Sequence, residues 1–263
     1  MSFRPLEAEA RAKINWTLEV YGVRADGYHG LRSVVLPVTL SDTLKIEESE
    51  TLSTDTGYED DLILKAARLM ASGRGAKISV VKRIPAGGGL GGGSADAAAA
   101  IRALNEFWEL GMSEEAMMEL GAKVGSDVPA LVYGKPCVME GRGEKVRLLT
   151  EAEAAELGLP MKLVIANPGV NSSTREVYGL CRCREGQPVG AAGLKAVNDL
   201  EAAAISLHPE IGALKELMGE GAMMSGSGSS VFKRVSGQEE GAELVRKLQA
   251  LGYWATVCDT WGR

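Results

Sequence analysis

The sequence predicts an α+β protein of two domains, and three observations carry that prediction. Runs with an apolar period of two are interspersed with runs of helical period along the chain, the pattern of sheets covered by helices. The composition shifts at 150–160, where an acidic, alanine-rich stretch from Thr150 to Leu159 ends at Pro160. Finally, Pro85-Ala86-Gly87-Gly88-Gly89-Leu90-Gly91-Gly92-Gly93-Ser94 gathers six of the 33 glycines directly ahead of an alanine-rich helical segment. The composition shift divides the chain into 1–155 and 156–263.

Residues 11–22 read as a strand, because Ile14, Trp16, Leu18 and Val20 alternate with Lys13, Asn15, Thr17 and Glu19. This period puts Lys13 and Asn15 on one face, roughly 6–7 Å apart. Further strands are predicted at 34–39, 43–48 and 77–83. A helix is predicted over 61–71, where Leu62, Ala66, Leu69 and Met70 share a face. The strand at 77–83 ends at Pro85 and feeds the glycine run.

A helix over 94–109 follows, with Ile101, Leu104 and Trp108 as its core stripe, Ser94 placed to cap it and Asp96 in its first turn. Ser113, Glu114 and Glu115 open another helix that ends near Gly125. Beyond Pro160 the pattern is a strand at 161–166, helices at 194–206 and 210–219, strands at 222–225 and 230–235, a helix at 238–251 and a strand at 253–258.

Glycine loses more backbone freedom on folding than any other residue, so a run this dense needs a physical reason. A Walker-type loop is excluded, because no lysine follows the glycines. Gly87, Gly89 and Gly92 fit a dinucleotide fingerprint, but the βαβ context is missing. A flexible linker would not run at once into Ser94-Ala95-Asp96-Ala97-Ala98-Ala99-Ala100-Ile101. The reading that meets both flanks is a bare-backbone cradle whose N–H groups, backed by a helix N-terminus, hold phosphate. A second glycine-rich turn, Ser225-Gly226-Ser227-Gly228-Ser229-Ser230, lies between Met223-Met224 and Val231-Phe232; on its own it reads as a tight hairpin turn.

With 45% hydrophobic and 24% charged residues the chain is an ordinary globular one. No apolar run is long enough to span a membrane, and Met1-Ser2-Phe3-Arg4-Pro5-Leu6-Glu7 holds no signal-peptide core, so a cytoplasmic protein is expected. The net charge of −6 and the lack of a basic tract argue against nucleic acid as a partner. Cys181 and Cys183 form a CxC without a second ligand cluster, so all four cysteines read as reduced structural thiols. Only two histidines are present, which excludes a zinc site built on several of them.

Three motifs then line up in order: Ala12-Lys13-Ile14-Asn15 continued by Arg24-Ala25-Asp26-Gly27-Tyr28-His29; Pro85 to Ser94; and Ser225 to Ser230. Together with Gly125-Ser126-Asp127-Val128-Pro129 they resemble the GHMP kinase superfamily over nearly the whole chain. The resemblance implies an N-terminal domain like domain 2 of ribosomal protein S5 and a ferredoxin-like C-terminal domain, with the active site between them. The doubled glycine triplet and the RADGYH segment resemble the branch that moves the γ-phosphoryl of ATP onto the 2-hydroxyl of a cytidine diphosphate-linked methylerythritol, on the non-mevalonate route to isoprenoid precursors.

The resemblance carries roles to individual residues. Asp127 falls at the catalytic acid position, as the base that accepts the hydroxyl proton; from the residues alone it reads equally as an N-cap before Val128-Pro129. Lys13 is its implied cationic partner. Asn15 is implied to bind the polyol, and Tyr28 and His29 the cytosine, with Tyr178 as a second aromatic and Thr174 beside it. Gly226, Ser227 and Gly228 join the substrate site, and Lys82 lies near the adenine. Asp61 stands where the family often has an adenine-binding Asn; an ionised carboxylate there can only accept. ATP implies Mg²⁺, for which the Ser94 hydroxyl is a candidate ligand.

Overall fold

The computed structural model describes residues 5–71, 73–188 and 192–261. Met1–Arg4, part of the N-terminal segment read above, lie outside them. The chain forms two compact units and enters each more than once.

One unit comprises Met1–Ala12, Leu40–Ile84 and Gly91–Gly134. It receives the start of β1 (Leu6–Asn15) and the C-terminal part of β3 (His29–Glu47). β5 (Ala76–Val81) pairs antiparallel with β3, from Thr43 opposite Val81 to Glu47 opposite Lys77, and parallel with β4 (Leu52–Thr54). Four helices belong to this unit: α1 (Leu62–Met70), α2 (Gly92–Phe107), α3 (Glu114–Val124) and α4 (Val128–Tyr133). α2 is its centre and packs against the other three. Ala95 and Ala97 to Ala100 are buried around almost the whole circumference of α2, because alanine lets neighbouring helices approach closely. Ile101, Leu104 and Trp108 are buried, as their spacing predicts.

The other unit comprises Lys13–Thr39, Pro85–Leu90 and Lys135–Arg263. β2 (Thr17–Val23) pairs antiparallel with the first part of β3 and parallel with the short β9 (Val197–Asn198). On its other side β3 pairs with β6 (Cys137–Gly141), which forms a hairpin with β7 (Lys145–Leu148). A second, wholly antiparallel sheet runs in the order β10 (Met223–Met224), β11 (Val231–Val235), β8 (Lys162–Asn167), β12 (Trp254–Asp259). α9 (Gln238–Ala250) covers β8 and β12. The remaining helices are α5 (Glu151–Leu157), α6 (Thr174–Leu180), α7 (Glu201–Leu207) and α8 (Pro209–Met218). The α+β class is therefore present in both units. Among the described residues no helix is long and apolar enough to cross a membrane.

Four of the predicted features take a different form in the structure, for reasons that lie in their contacts. The strand expected over 11–22 breaks at Trp16, whose indole N–H donates to the Leu194 carbonyl at 2.8 Å. The strands expected at 34–39 and 43–48 are one 19-residue strand, β3. The strand runs through Asp42, which is fully buried with its carboxylate hydrogen-bonded. The helix expected from 194 begins at Glu201. Before it, the Asn198 side chain bonds the Met224 and Gly226 carbonyls and accepts from the Leu200 N–H, competing with helical bonding. Ser94 does not cap α2: Gly91 holds the N-cap position, at φ +70°, and Ser94 is the third residue of the helix.

Candidate functional site

The two glycine triplets serve different ends. A Cβ on Gly87 would come within 2.7 Å of Asn171 Oδ1, one on Gly88 within 2.6 Å of Ser230 Oγ, and one on Gly89 would overlap the Ser225 carbonyl oxygen. Ser225 Oγ donates to the Gly89 carbonyl at 3.0 Å, and the Ser230 N–H donates to the Gly88 carbonyl at 3.0 Å. The first triplet is thus bare because the Ser225–Ser230 turn packs directly onto its backbone. That turn is the β10–β11 hairpin its flanks predict, with Met224 opposite Val231, and it has this second task as well.

The second triplet opens α2. A Cβ on Gly92 would meet Ile84 Cγ2 at 3.2 Å, whereas one on Gly93 would make only an ordinary 3.8 Å contact with Leu62. Gly93 is exposed and helical, so no protein atom requires a glycine there. Its bare N–H lies in the first turn of a 16-residue helix, where backbone donors lack intrahelical partners. Ser94 follows, and Gly125 lies close enough that a Cβ on it would sit 3.8 Å from Ser94 Oγ.

A charge cluster with two buried carboxylates brackets this helix start. Lys82 Nζ lies 2.5 Å from Asp42 Oδ2 and 2.6 Å from Asp96 Oδ2. Asp42 Oδ1 accepts from the Arg83 and Ile84 N–H groups at 2.5 and 2.9 Å. Asp96 Oδ1 is buried without a hydrogen-bond partner. Burial pushes the Asp96 carboxyl up to about 6, against the pull of Lys82 and helped by the charge of Asp42. Burial also works against the Lys82 ammonium, but its two carboxylate partners outweigh that and raise its pKa.

Lys13 and Asn15 share a face as predicted: Lys13 Nζ donates to Asn15 Oδ1 at 2.5 Å, and both are buried. Asn15 Nδ2 donates to Ser33 Oγ at 2.8 Å, and the Asn15 N–H donates to Ser225 Oγ at 3.2 Å. The amide of Asn15 therefore serves first to orient Lys13. The Lys13 N–H itself donates to the Leu90 carbonyl, tying this strand to the glycine run.

Asp127 occupies the N-cap position of α4, with Pro129 in the first turn, yet its carboxylate makes no capping bond to that helix. Asp61 is the reverse case. It is buried at the N-cap of α1, where Oδ1 accepts from the Ile63 and Leu64 N–H groups at 2.7 and 3.1 Å and Oδ2 from the Thr54 and Thr56 hydroxyls at 2.6 and 2.5 Å. Burial acts to raise the Asp61 pKa, but these donors together hold it below the ordinary carboxylate value.

The aromatic residues form two contacts. The His29 and Tyr178 rings lie 5.2 Å apart at 41°, and the Arg142 guanidinium lies 5.3 Å over the Tyr28 ring. Thr174, at the start of α6, pairs its hydroxyl with Ser227 Oγ at 2.8 Å, and Ser172 Oγ donates to the Ser227 carbonyl at 2.6 Å. Gly226 approaches Gly89, whose carbonyl a Cβ would meet at 2.9 Å. Asp42, Ser33 and Arg142 escaped the sequence reading. Of these only Arg142, between two glycines in Gly141-Arg142-Gly143-Glu144, carried a local signal, that of a tight turn.

Among the described residues no group of three or more His, Cys, Asp or Glu could hold a metal ion. All four cysteines are free thiols, and burial pushes both Cys181 and Cys258 up to about 12, far from a reactive thiolate.

Comparison with known proteins identifies the family. The profile for the GHMP kinases N terminal domain matches residues 61–135, and that for GHMP kinases C terminal matches 187–253. The 4-diphosphocytidyl-2-C-methyl-D-erythritol kinase of Alcanivorax borkumensis is 36% identical, covering 97% of this chain and 91% of its own. The enzyme of the same name from Symbiobacterium thermophilum is 37% identical over 97% of this chain and 99% of its own. A crystal structure of 4-(cytidine 5'-diphospho)-2C-methyl-D-erythritol kinase superposes with a TM-score of 0.81 at 31% identity, covering 98% of this chain and all of that one. The mevalonate kinase of Methanococcus jannaschii, at 16% identity and a TM-score of 0.67 over 99% of each chain, shares the fold. With its glycine stretch, its three ordered motifs and these relatives, the chain belongs to the GHMP kinases.

Proposed function

We propose that this small-molecule kinase transfers the γ-phosphoryl of ATP to the 2-hydroxyl of 4-diphosphocytidyl-2-C-methyl-D-erythritol. The observation that carries the nucleotide half of this proposal is Gly93, bare at the N-terminus of α2 where no protein atom demands it. Backbone N–H groups there, with the helix dipole behind them, suit the polyphosphate. The substrate half rests on the relatives of that name and on Tyr28, His29 and Tyr178 as the groups that would stack on and read a cytosine.

Phosphoryl transfer needs positioning and charge stabilisation more than covalent chemistry. Asp127 accepts the hydroxyl proton as the oxygen attacks, the role implied by its place in Gly125-Ser126-Asp127-Val128-Pro129. Lys13, oriented by Asn15, draws the charge developing in the transition state. Lys82 lies toward the adenine. Asp61 is left out of the nucleotide contacts, because its two oxygens already accept four hydrogen bonds.

Mg²⁺ would be held chiefly by phosphate, with the Ser94 hydroxyl as a candidate protein ligand, since a Mg²⁺ that keeps its waters needs only one or two protein oxygens. When bound, it neutralises charge on the β- and γ-phosphates. Residues 1–155 and 156–263 are proposed as the two family domains, in a cytoplasmic enzyme that binds neither nucleic acid nor membrane.

The test is coupled ADP release with Mg-ATP and the cytidyl substrate. The parent should turn over, and Asp127→Asn should lose about 10²–10⁴-fold in kcat while keeping its melting temperature. A folded parent that binds ATP but releases no ADP with this substrate would defeat the substrate assignment, and near-normal turnover by the variant would defeat Asp127 as the base.

A further inference from the structure

Tyr28 is 52% exposed, an unusual place for a large ring that the surrounding backbone holds so firmly. The loop before it is closed by three bonds: the Arg24 N–H donates to the Tyr28 carbonyl at 2.7 Å, the Gly27 N–H to the Arg24 carbonyl at 3.0 Å, and the Tyr28 N–H to Asp26 Oδ1 at 3.2 Å. Arg24 also pairs with Asp26 at 3.2 Å. Gly27, at φ +82°, makes the turn.

The β6–β7 turn lies against this loop. Gly141 and Gly143, at φ +77° and +117°, bracket Arg142, whose N–H donates to Glu144 Oε2 at 2.6 Å. Glu144 reaches Arg24 at 3.8 Å, and the Arg142 guanidinium sits over one face of the Tyr28 ring, 5.3 Å from its centre. Two independent contacts therefore join the turns, and one of them covers a single face of an exposed aromatic ring.

We propose that Arg142 is a positioning residue for base recognition: it holds one face of Tyr28 so that the opposite face is presented as a stacking platform for the pyrimidine of the ligand. A cation over a ring face is attracted to the ring quadrupole, and an aromatic fixed before binding loses less freedom when a base stacks on it. The inference rests on the proposed role of Tyr28 at the cytosine, and it adds the group that prepares that role.

The experiment is a double-mutant cycle read as the Kd for cytidine diphosphate by calorimetry, with KM for the cytidyl substrate measured alongside. Arg142→Ala should weaken cytidine diphosphate about 2–5-fold, the range of an exposed cation–π contact, with the loss falling on KM. Arg142→Lys should retain most of the affinity and Arg142→Met should not, because the charge and not the stem is required. Tyr28→Ala should lose more, and the double variant should lose no more than Tyr28→Ala alone. Unchanged affinity in Arg142→Ala overturns the proposal. Losses that simply add overturn it as well, since Arg142 would then act on the ligand and not through Tyr28. A parent that turns over the cytidyl substrate and binds cytidine diphosphate, but shows no coupling, defeats this inference alone. A parent that does neither defeats it together with the substrate assignment.

Discussion

The two glycine triplets are identical in sequence but differ in how closely the protein packs on them. Gly87 to Gly89 meet protein on every side that matters: Asn171, Ser230 and the backbone of Ser225 leave no room for a methyl group. Gly91 to Gly93 lead into a helix; a Cβ on Gly92 would press on Ile84, but one on Gly93 would make only an ordinary contact with Leu62. The same contrast extends to the carboxylates. Asp61 is satisfied four times over, whereas Asp96, one turn inside the helix that the second triplet opens, keeps an oxygen buried and unpartnered. Stability is concentrated where the chain packs on itself and, on the proposed function, is withheld where the nucleotide is to bind.

The largest effect expected from this contrast is at the packed triplet. Gly89→Ala would place a Cβ on the Ser225 carbonyl at a φ of +71°, and should cost about 3–5 kcal/mol of stability, from overpacking and left-handed strain together. Urea denaturation checks this; a variant with the parent's midpoint would break the comparison at its strong end.

A smaller effect is expected at Asp96, with a defined sign. Its folded pKa of about 6 lies above the unfolded value near 3.8, so its contribution to stability is full below about pH 4 and is lost as pH rises through 6. Asp96→Asn should therefore be more stable than the parent above pH 6, by up to about 2–3 kcal/mol, with the gap closing toward pH 4. Melting curves from pH 4 to 8 read it. A variant less stable than the parent at pH 7.5 would mean that the Lys82 contact outweighs the burial of the charge.

How much of this was legible in the sequence depends on the range of the interaction. Local patterns carried α1, α3, α9 and the second sheet, because periodicity and caps such as Ser113 lie within a few residues of what they determine. The glycine run announced itself, but not that half of it is bare for packing, since Ser225 lies 136 residues from Gly89. The continuity of β3 through Asp42 was not legible because the partners of that carboxylate, Lys82 to Ile84, come about 40 residues later. Asn198 hid a short strand within a helical pattern by bonding to Met224 and Gly226. Lys13 and Asn15 were legible as a pair because strand period alone places them together. Arg142 was not, since its meaning depends on a ring in another turn.

The central claim is that Gly93, within the second triplet, is bare for the phosphates of ATP. Gly93→Ala tests it most directly, because the change removes nothing the protein uses. The variant should fold with equal or slightly greater stability, by up to about 1 kcal/mol, since alanine is the better helix residue. Titrated with a non-hydrolysable ATP analogue and Mg²⁺, it should bind about 10-fold more weakly than the parent, about 1.4 kcal/mol. Unchanged affinity in that folded variant would contradict the claim and return the whole glycine stretch to a role in packing.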